Sequence, residues 1–134
     1  MRWRREDGVA AVEFALLLPL IVIILFATTE FGISMAKWED YESAAREGAR
    51  FAAVHCAPTS PCDNNNEVWQ VVKNASSDYT DSNAAMPATF TVTPLTCTSG
   101  QQVVVSWQQT FTIDVPLLKV YQQIRTLKGV FRCE

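Results

Sequence analysis

The sequence predicts an α+β protein in which one long N-terminal helix, partly transmembrane, packs its outer half on a small antiparallel sheet. Three observations predict it. The segment from Val9 to Ala27 is apolar throughout except for Glu13. From Ser34 to His55 apolar and small residues recur at steps of three and four, the period of one helix face. Beyond Thr89 the period changes to two, the pattern of half-buried strands. The 134 residues leave room for one small domain besides the apolar segment.

The apolar segment is 19 residues long, and as a helix it reaches roughly 28 Å, one hydrocarbon core. Arg2, Arg4 and Arg5 precede it, which places the N-terminus in the cytoplasm and everything after about residue 30 outside. Trp3 suits the membrane interface. A carboxylate such as Glu13 costs about 2.5–3.5 kcal/mol if it reaches the bilayer centre, so it needs a partner. A cleavable secretory signal has a shorter core and a small-residue cleavage site; Ala27-Thr28-Thr29 is a poor one. An ordinary signal anchor accounts for the length and the charge but leaves Glu13 unexplained.

A short basic leader, Gly8, four residues, Glu13-Phe14 and a long apolar run together resemble the cleavage region of prepilins of the type IV pilus superfamily. More closely, GVAAVEFALLLPLIVIILFATTEFG, residues 8–32, resembles the N-terminus of TadE-like minor pilins (pseudopilins) of tight-adherence (Tad) pilus systems. The later ESAAREGARFAA is similar to the segment that follows the span in that family. The resemblance implies a pilin-like fold, with residues 1–8 as a leader, 9–31 as the transmembrane segment and 32–134 as an extracytoplasmic head. It implies that a prepilin peptidase cuts between Gly8 and Val9. Glu13, with Phe14 beside it, then serves subunit assembly: Glu13 pairs with the new amine of Val9 in its own or a neighbouring subunit, which offsets the burial cost. The implied work is structural, in pilus assembly, surface adhesion and biofilm formation. The implied partners are the peptidase, other major and minor pilins, the inner-membrane assembly platform and membrane lipid. The implied location is the bacterial inner membrane, single-pass, with the head periplasmic. The rival reading is a signal-anchored extracytoplasmic binding domain, which would keep Met1.

The helix should run from about Val9 to His55, with Pro19 as a local kink. Its outer half has Trp38, Tyr41, Ala45, Gly48, Ala49 and Ala52 on one face and Lys37, Glu39, Asp40, Glu42, Arg46, Glu47 and Arg50 on the other. The small residues let another backbone approach closely. Glu30, after the apolar run, reads as an interfacial residue. CAPTSPC, residues 56–62, reads as a loop because Pro58 and Pro61 forbid helix. Asn64 and Glu67 form a candidate cap for a short helix over about 65–76, followed by a polar, turn-rich stretch to Ala85. Thr89–Pro94 and Val103–Pro116 are expected to pair as a hairpin, with a turn around Gly100. Pro116-Leu117-Leu118 opens an amphipathic stretch to about Thr126, and a short last strand spans Leu127–Cys133. This layout resembles the C-terminal half of TadE-like proteins.

The sequence carries no phosphate loop, nucleophile elbow or convergent carboxylate cluster. The reading is therefore not an enzyme, with no cofactor and no metal. The net charge is −3, and losing the leader removes three Arg against two acids, so nucleic acid is not expected as a partner. His55 is the only histidine and reads as a helix-end residue. Asn74-Ala75-Ser76 fits a glycosylation sequon but falls on the short helix. The four cysteines, Cys56, Cys62, Cys97 and Cys133, all fall in the outer part, as an oxidising compartment favours. Three pairings are open to them. The preferred one joins Cys56 to Cys62 across the proline loop and Cys97 to Cys133 between the hairpin and the last strand.

Overall fold

The computed structural model describes residues 5–56, 62, 65–79, 84–114 and 120–133. Helix α1 covers Arg5–His55, helix α2 Asn66–Ala75, and strands β1, β2 and β3 cover Thr91–Thr93, Gln102–Ile113 and Tyr121–Arg132. The sheet order is β1-β2-β3, antiparallel throughout. The fold is thus α+β, one long helix seated on a three-stranded sheet. Trp3, the prolines of the 56–62 loop, Asn64 and Pro116-Leu117-Leu118 lie outside the described residues.

The 51 residues of α1 form one element, and Pro19 lies inside it without ending it. The helix starts at Arg5, earlier than the expected start at Val9: nothing between Arg5 and Val9 stops a helix, and Gly8 weakens one by only about 1 kcal/mol. At the outer edge of the apolar run, Thr28 Oγ1 donates to the carbonyls of Ile24 (3.0 Å) and Leu25 (2.9 Å), and Thr29 Oγ1 donates to that of Leu25 (2.8 Å). These hydroxyls are satisfied within the helix, as a lipid environment demands.

The outer half of α1 buries Tyr41, Ala44, Ala45, Ala49 and Ala52, the small-residue face read from the sequence. That face meets α2, β2 and β3. Against Gly48 sits α2: a Cβ there would lie 3.4 Å from Val68 Cγ1 and inside van der Waals contact with Val72 Cγ2. Val68, Trp69 and Val72 are the buried residues of α2. Trp69 is the hub of the aromatic core, with Tyr79, Phe90 and Trp107 edge-on at centroid distances of 5.1, 5.2 and 6.4 Å.

Three local expectations are corrected. The N-cap of α2 is Asn65, which makes no side-chain capping bond; its Nδ2 donates instead to the Phe90 carbonyl at 3.3 Å, tying the helix start to the sheet. Asp40, assigned to the solvated face, accepts from Ser76 Oγ (2.6 Å) and Ser77 N (3.0 Å), because the chain leaving α2 buries Ser76 and needs an acceptor there. The last strand begins at Tyr121 rather than Leu127. Of the stretch expected to be amphipathic up to Thr126, Tyr121–Thr126 pairs residue by residue with β2, in a ladder that runs from Gln102↔Arg132 to Ile113↔Tyr121. In β2 the expected alternation buries Val103, Val105 and Trp107, while Gln109, Phe111 and Ile113 on the same side are half-buried.

Gly100 takes the left-handed turn conformation at φ +87°. Its N–H donates to the Cys133 carbonyl at 3.2 Å, and Cys133 N–H donates to the Gln101 carbonyl at 2.9 Å. Disulfides join Cys56 to Cys62 and Cys97 to Cys133, all four sulfurs' residues being buried. Cys97 N–H also donates to the Cys56 carbonyl at 2.6 Å, so both bridges meet where α1 ends. The second bridge spans a sequence separation of 36, for which chain entropy gives ~3–4 kcal/mol. The Cys97→Ser, Cys133→Ser double variant should lose stability of that order in denaturant unfolding of the full chain in detergent; an unchanged midpoint would contradict it.

Candidate assembly stem and its collar

The inner half of α1 carries the residues that the sequence singles out. The helix is long and apolar enough to cross a membrane, and none of the residues of its most apolar window is buried in the chain. Val9, Phe14, Leu16 and Leu17 are 60%, 61%, 73% and 54% exposed. Each such side chain is stable only against lipid or another subunit. Val9 and Glu13 are four residues apart on α1, so they share a face, with Glu13 exposed and Phe14 next to it.

Gly8 lies within the helix, and a Cβ built on it meets nothing within 4 Å. The same holds for Gly32. Among the described residues no contact requires a glycine at either place. Gly48 and Gly129 differ: both are filled by neighbours. A Cβ at Gly129 would lie 2.6 Å from Arg46 N and closer still to the Ala45 carbonyl. Gly129 escaped the sequence reading. The signal was an isolated glycine within a strand pattern, which marks close backbone approach.

Where the stem enters the head, polar side chains form a collar. Tyr41 donates to Asp78 Oδ2, Lys37 Nζ lies 3.4 Å from Asp78 Oδ1, and Tyr79 donates to Gln109 Oε1 at 3.1 Å. The Tyr41 and Tyr79 rings stack in a tilted pair at 5.2 Å. Burial is the main cause that pushes the Tyr41 phenol well above its ordinary value, and the bond to Asp78 adds to it. Burial also raises Tyr79. Both phenols therefore keep their protons in the fold at pH values where the unfolded chain releases them. Their contribution is fully present below about pH 10 and falls as pH rises past the unfolded tyrosine value. Ionisation of Tyr41 and Tyr79, read by tyrosinate absorbance, should coincide with loss of head structure in circular dichroism. Ionisation of both with the head intact would contradict this.

Among the described residues no group of His, Cys, Asp and Glu is arranged to hold a metal ion. His55 stacks on Phe51 at 4.3 Å, with Nδ1 3.2 Å from the Phe51 carbonyl, and the adjacent Cys56 is held in a disulfide.

An unburied apolar helix continuous with one that packs on a small, disulfide-bonded sheet makes a stem-and-head protein. The model of the family described as TadE-like protein matches residues 8–50. Over Gly8 to Arg50 the chain is similar to that family, which is structural rather than enzymatic. The match ends within α1, so α2 and the sheet lie beyond it. Neither a curated protein nor a solved structure matches the chain.

Proposed function

We propose that the protein is a minor pilin, or pseudopilin, that works in assembly of a Tad-type pilus and so in surface adhesion and biofilm formation. The observation that carries this reading is the exposed apolar stem with Glu13 one turn after Val9. Removal of residues 1–8 by a prepilin peptidase leaves Val9 as a free amine within reach of a Glu13 carboxylate, in the same or a neighbouring subunit. The span, residues 9–31, holds the protein in the inner membrane with the head, residues 32–134, in the periplasm. The positive residues before Gly8 favour that orientation, and the disulfides fit that compartment. Sibling pilins and the assembly platform are the partners that an unburied stem calls for.

The absence of any contact at Gly8 bears on processing. Since none of the described residues fills the space beside it, a substitution there tests the peptidase and not the fold. Gly8→Val should block removal of the leader while membrane insertion and the head's disulfides persist. Mass spectrometry of the membrane protein decides it. Wild type that retains Met1 would overturn the minor-pilin reading in favour of a signal-anchored binding domain.

A further inference from the structure

The sheet closes on α1 at one end and opens at the other. At the closed end Gly129 lies against the Ala45 backbone. At the open end a groove of about 280 Å³ separates Phe31, Met35 and Trp38 of α1 from Phe111 and Ile113 of β2 and Tyr121 of β3. The β2–β3 register runs from Gln102↔Arg132 at the disulfide end to Ile113↔Tyr121, so the open end is the one nearest the apolar run. Phe31 is four residues past Ala27, roughly 6 Å along the axis. The polar layer on each side of a hydrocarbon core is about 5–7 Å deep, so the groove begins at headgroup level.

Its composition suits that level. Phe31, Val120 and Tyr121 are 57%, 53% and 58% exposed, a continuation of the apolar surface of the span onto the start of β3. Trp38 and Tyr121 are the residue types that gather at a membrane interface. The Arg125 guanidinium lies 5.3 Å over the Trp38 ring, lines the same groove, and makes no ion pair among the described residues.

We propose that this groove, with the described ends of β2 and β3 that line it, is a second membrane contact: lipid of the bilayer that the stem crosses fills the lower part of the groove. The proposal rests on the reading of α1 as a membrane stem. The head is then held down on the bilayer surface at two places, the helix and the ends of β2 and β3.

The test uses the full chain in vesicles of phosphatidylethanolamine and phosphatidylglycerol. A photoreactive side chain is introduced in three separate variants, Tyr121→p-azidophenylalanine, Leu17→p-azidophenylalanine and Gln70→p-azidophenylalanine. Tyr121 and Gln70 are exposed, so neither change disturbs the core. After irradiation, mass spectrometry should find lipid adducts at position 121 several-fold above those at position 70 and comparable to those at position 17. Adducts at 17 with none at 121 would overturn the proposal and leave the membrane stem intact. A crosslink from 121 to a second copy of the chain in place of lipid would also overturn it, in favour of a subunit in the groove. No lipid adduct at 17 would overturn the stem reading and the proposal with it.

Discussion

Gly129→Val should prevent the head from folding. In β3, Gly129 pairs with Val105, and its missing side chain lets α1 lie directly on the strand. The atoms that an added Cβ meets are the Ala45 carbonyl and Arg46 N. These are backbone atoms of a helix, so no rotamer change relieves the clash. The helix must lift off the sheet, and Ala44, Ala45, Ala49 and Ala52 on the same face lose their contacts with it. Ordinary overpacking costs about 1–3 kcal/mol; displacing a whole helix face should exceed about 4–5 kcal/mol, the range reserved for gross structural lesions. A small domain has about 5–15 kcal/mol in total. The full-length variant in detergent should therefore show rapid proteolysis of residues beyond Tyr41 and no cooperative unfolding transition. Gly8→Ala, where the added Cβ meets nothing, is the matching control and should leave the head unchanged. A Gly129→Val head that resists protease like wild type would show that α1 does not pack as described.

Glu13→Gln should abolish assembly while leaving everything before assembly intact. The substitution keeps size and hydrogen bonding and removes the charge. A membrane-buried carboxylate without a partner is expensive, so the neutral variant should insert at least as well as wild type and still be cut at Gly8. It should fail to crosslink with sibling pilins or to support surface pili, because the charge that selects a free Val9 amine is gone. A buried pair of this kind acts as a registry device more than as a source of stability. Normal pili in the variant would mean that Glu13 has no essential pairing role.

The stem was legible because its signals are long and redundant. A long apolar run and a sustained helical period both indicate the same helix, and the small residues Ala45, Gly48 and Ala49 declare a close approach on one face. The sheet was legible in outline, since Val103, Val105 and Trp107 fall at alternate positions of one apolar run and Ser106, Gln108 and Thr110 take the other side. The extent of β3 was not. Leu127 and Gly129 are the only fully buried residues of that strand, so Tyr121–Thr126 carries no inward pattern of its own. It is a strand because β2 offers it a ladder, a tertiary cause invisible to local reading. Asp40 was misplaced for a similar reason. Its acceptor role depends on Ser76 arriving from a point 36 residues away, and charge pattern along α1 says nothing of that. At the stem, residue types at Gly8, Val9, Glu13 and Phe14 were readable, but that a Cβ on Gly8 would meet none of the described residues required the structure.

Because α1 runs without a break from the apolar segment into the head, the head has no swivel. Each residue of an α-helix advances about 1.5 Å and turns by about 100°. When neighbours grip the apolar half, the residue at which they grip sets the compass bearing of the disulfide-bonded end. Slipping the grip by one residue swings that end through about 100°, whereas a slip of seven residues returns it to within about 20°. The shaft therefore indexes its heads: a choice of axial register, made inside the membrane, becomes a choice of which surface each head presents outside.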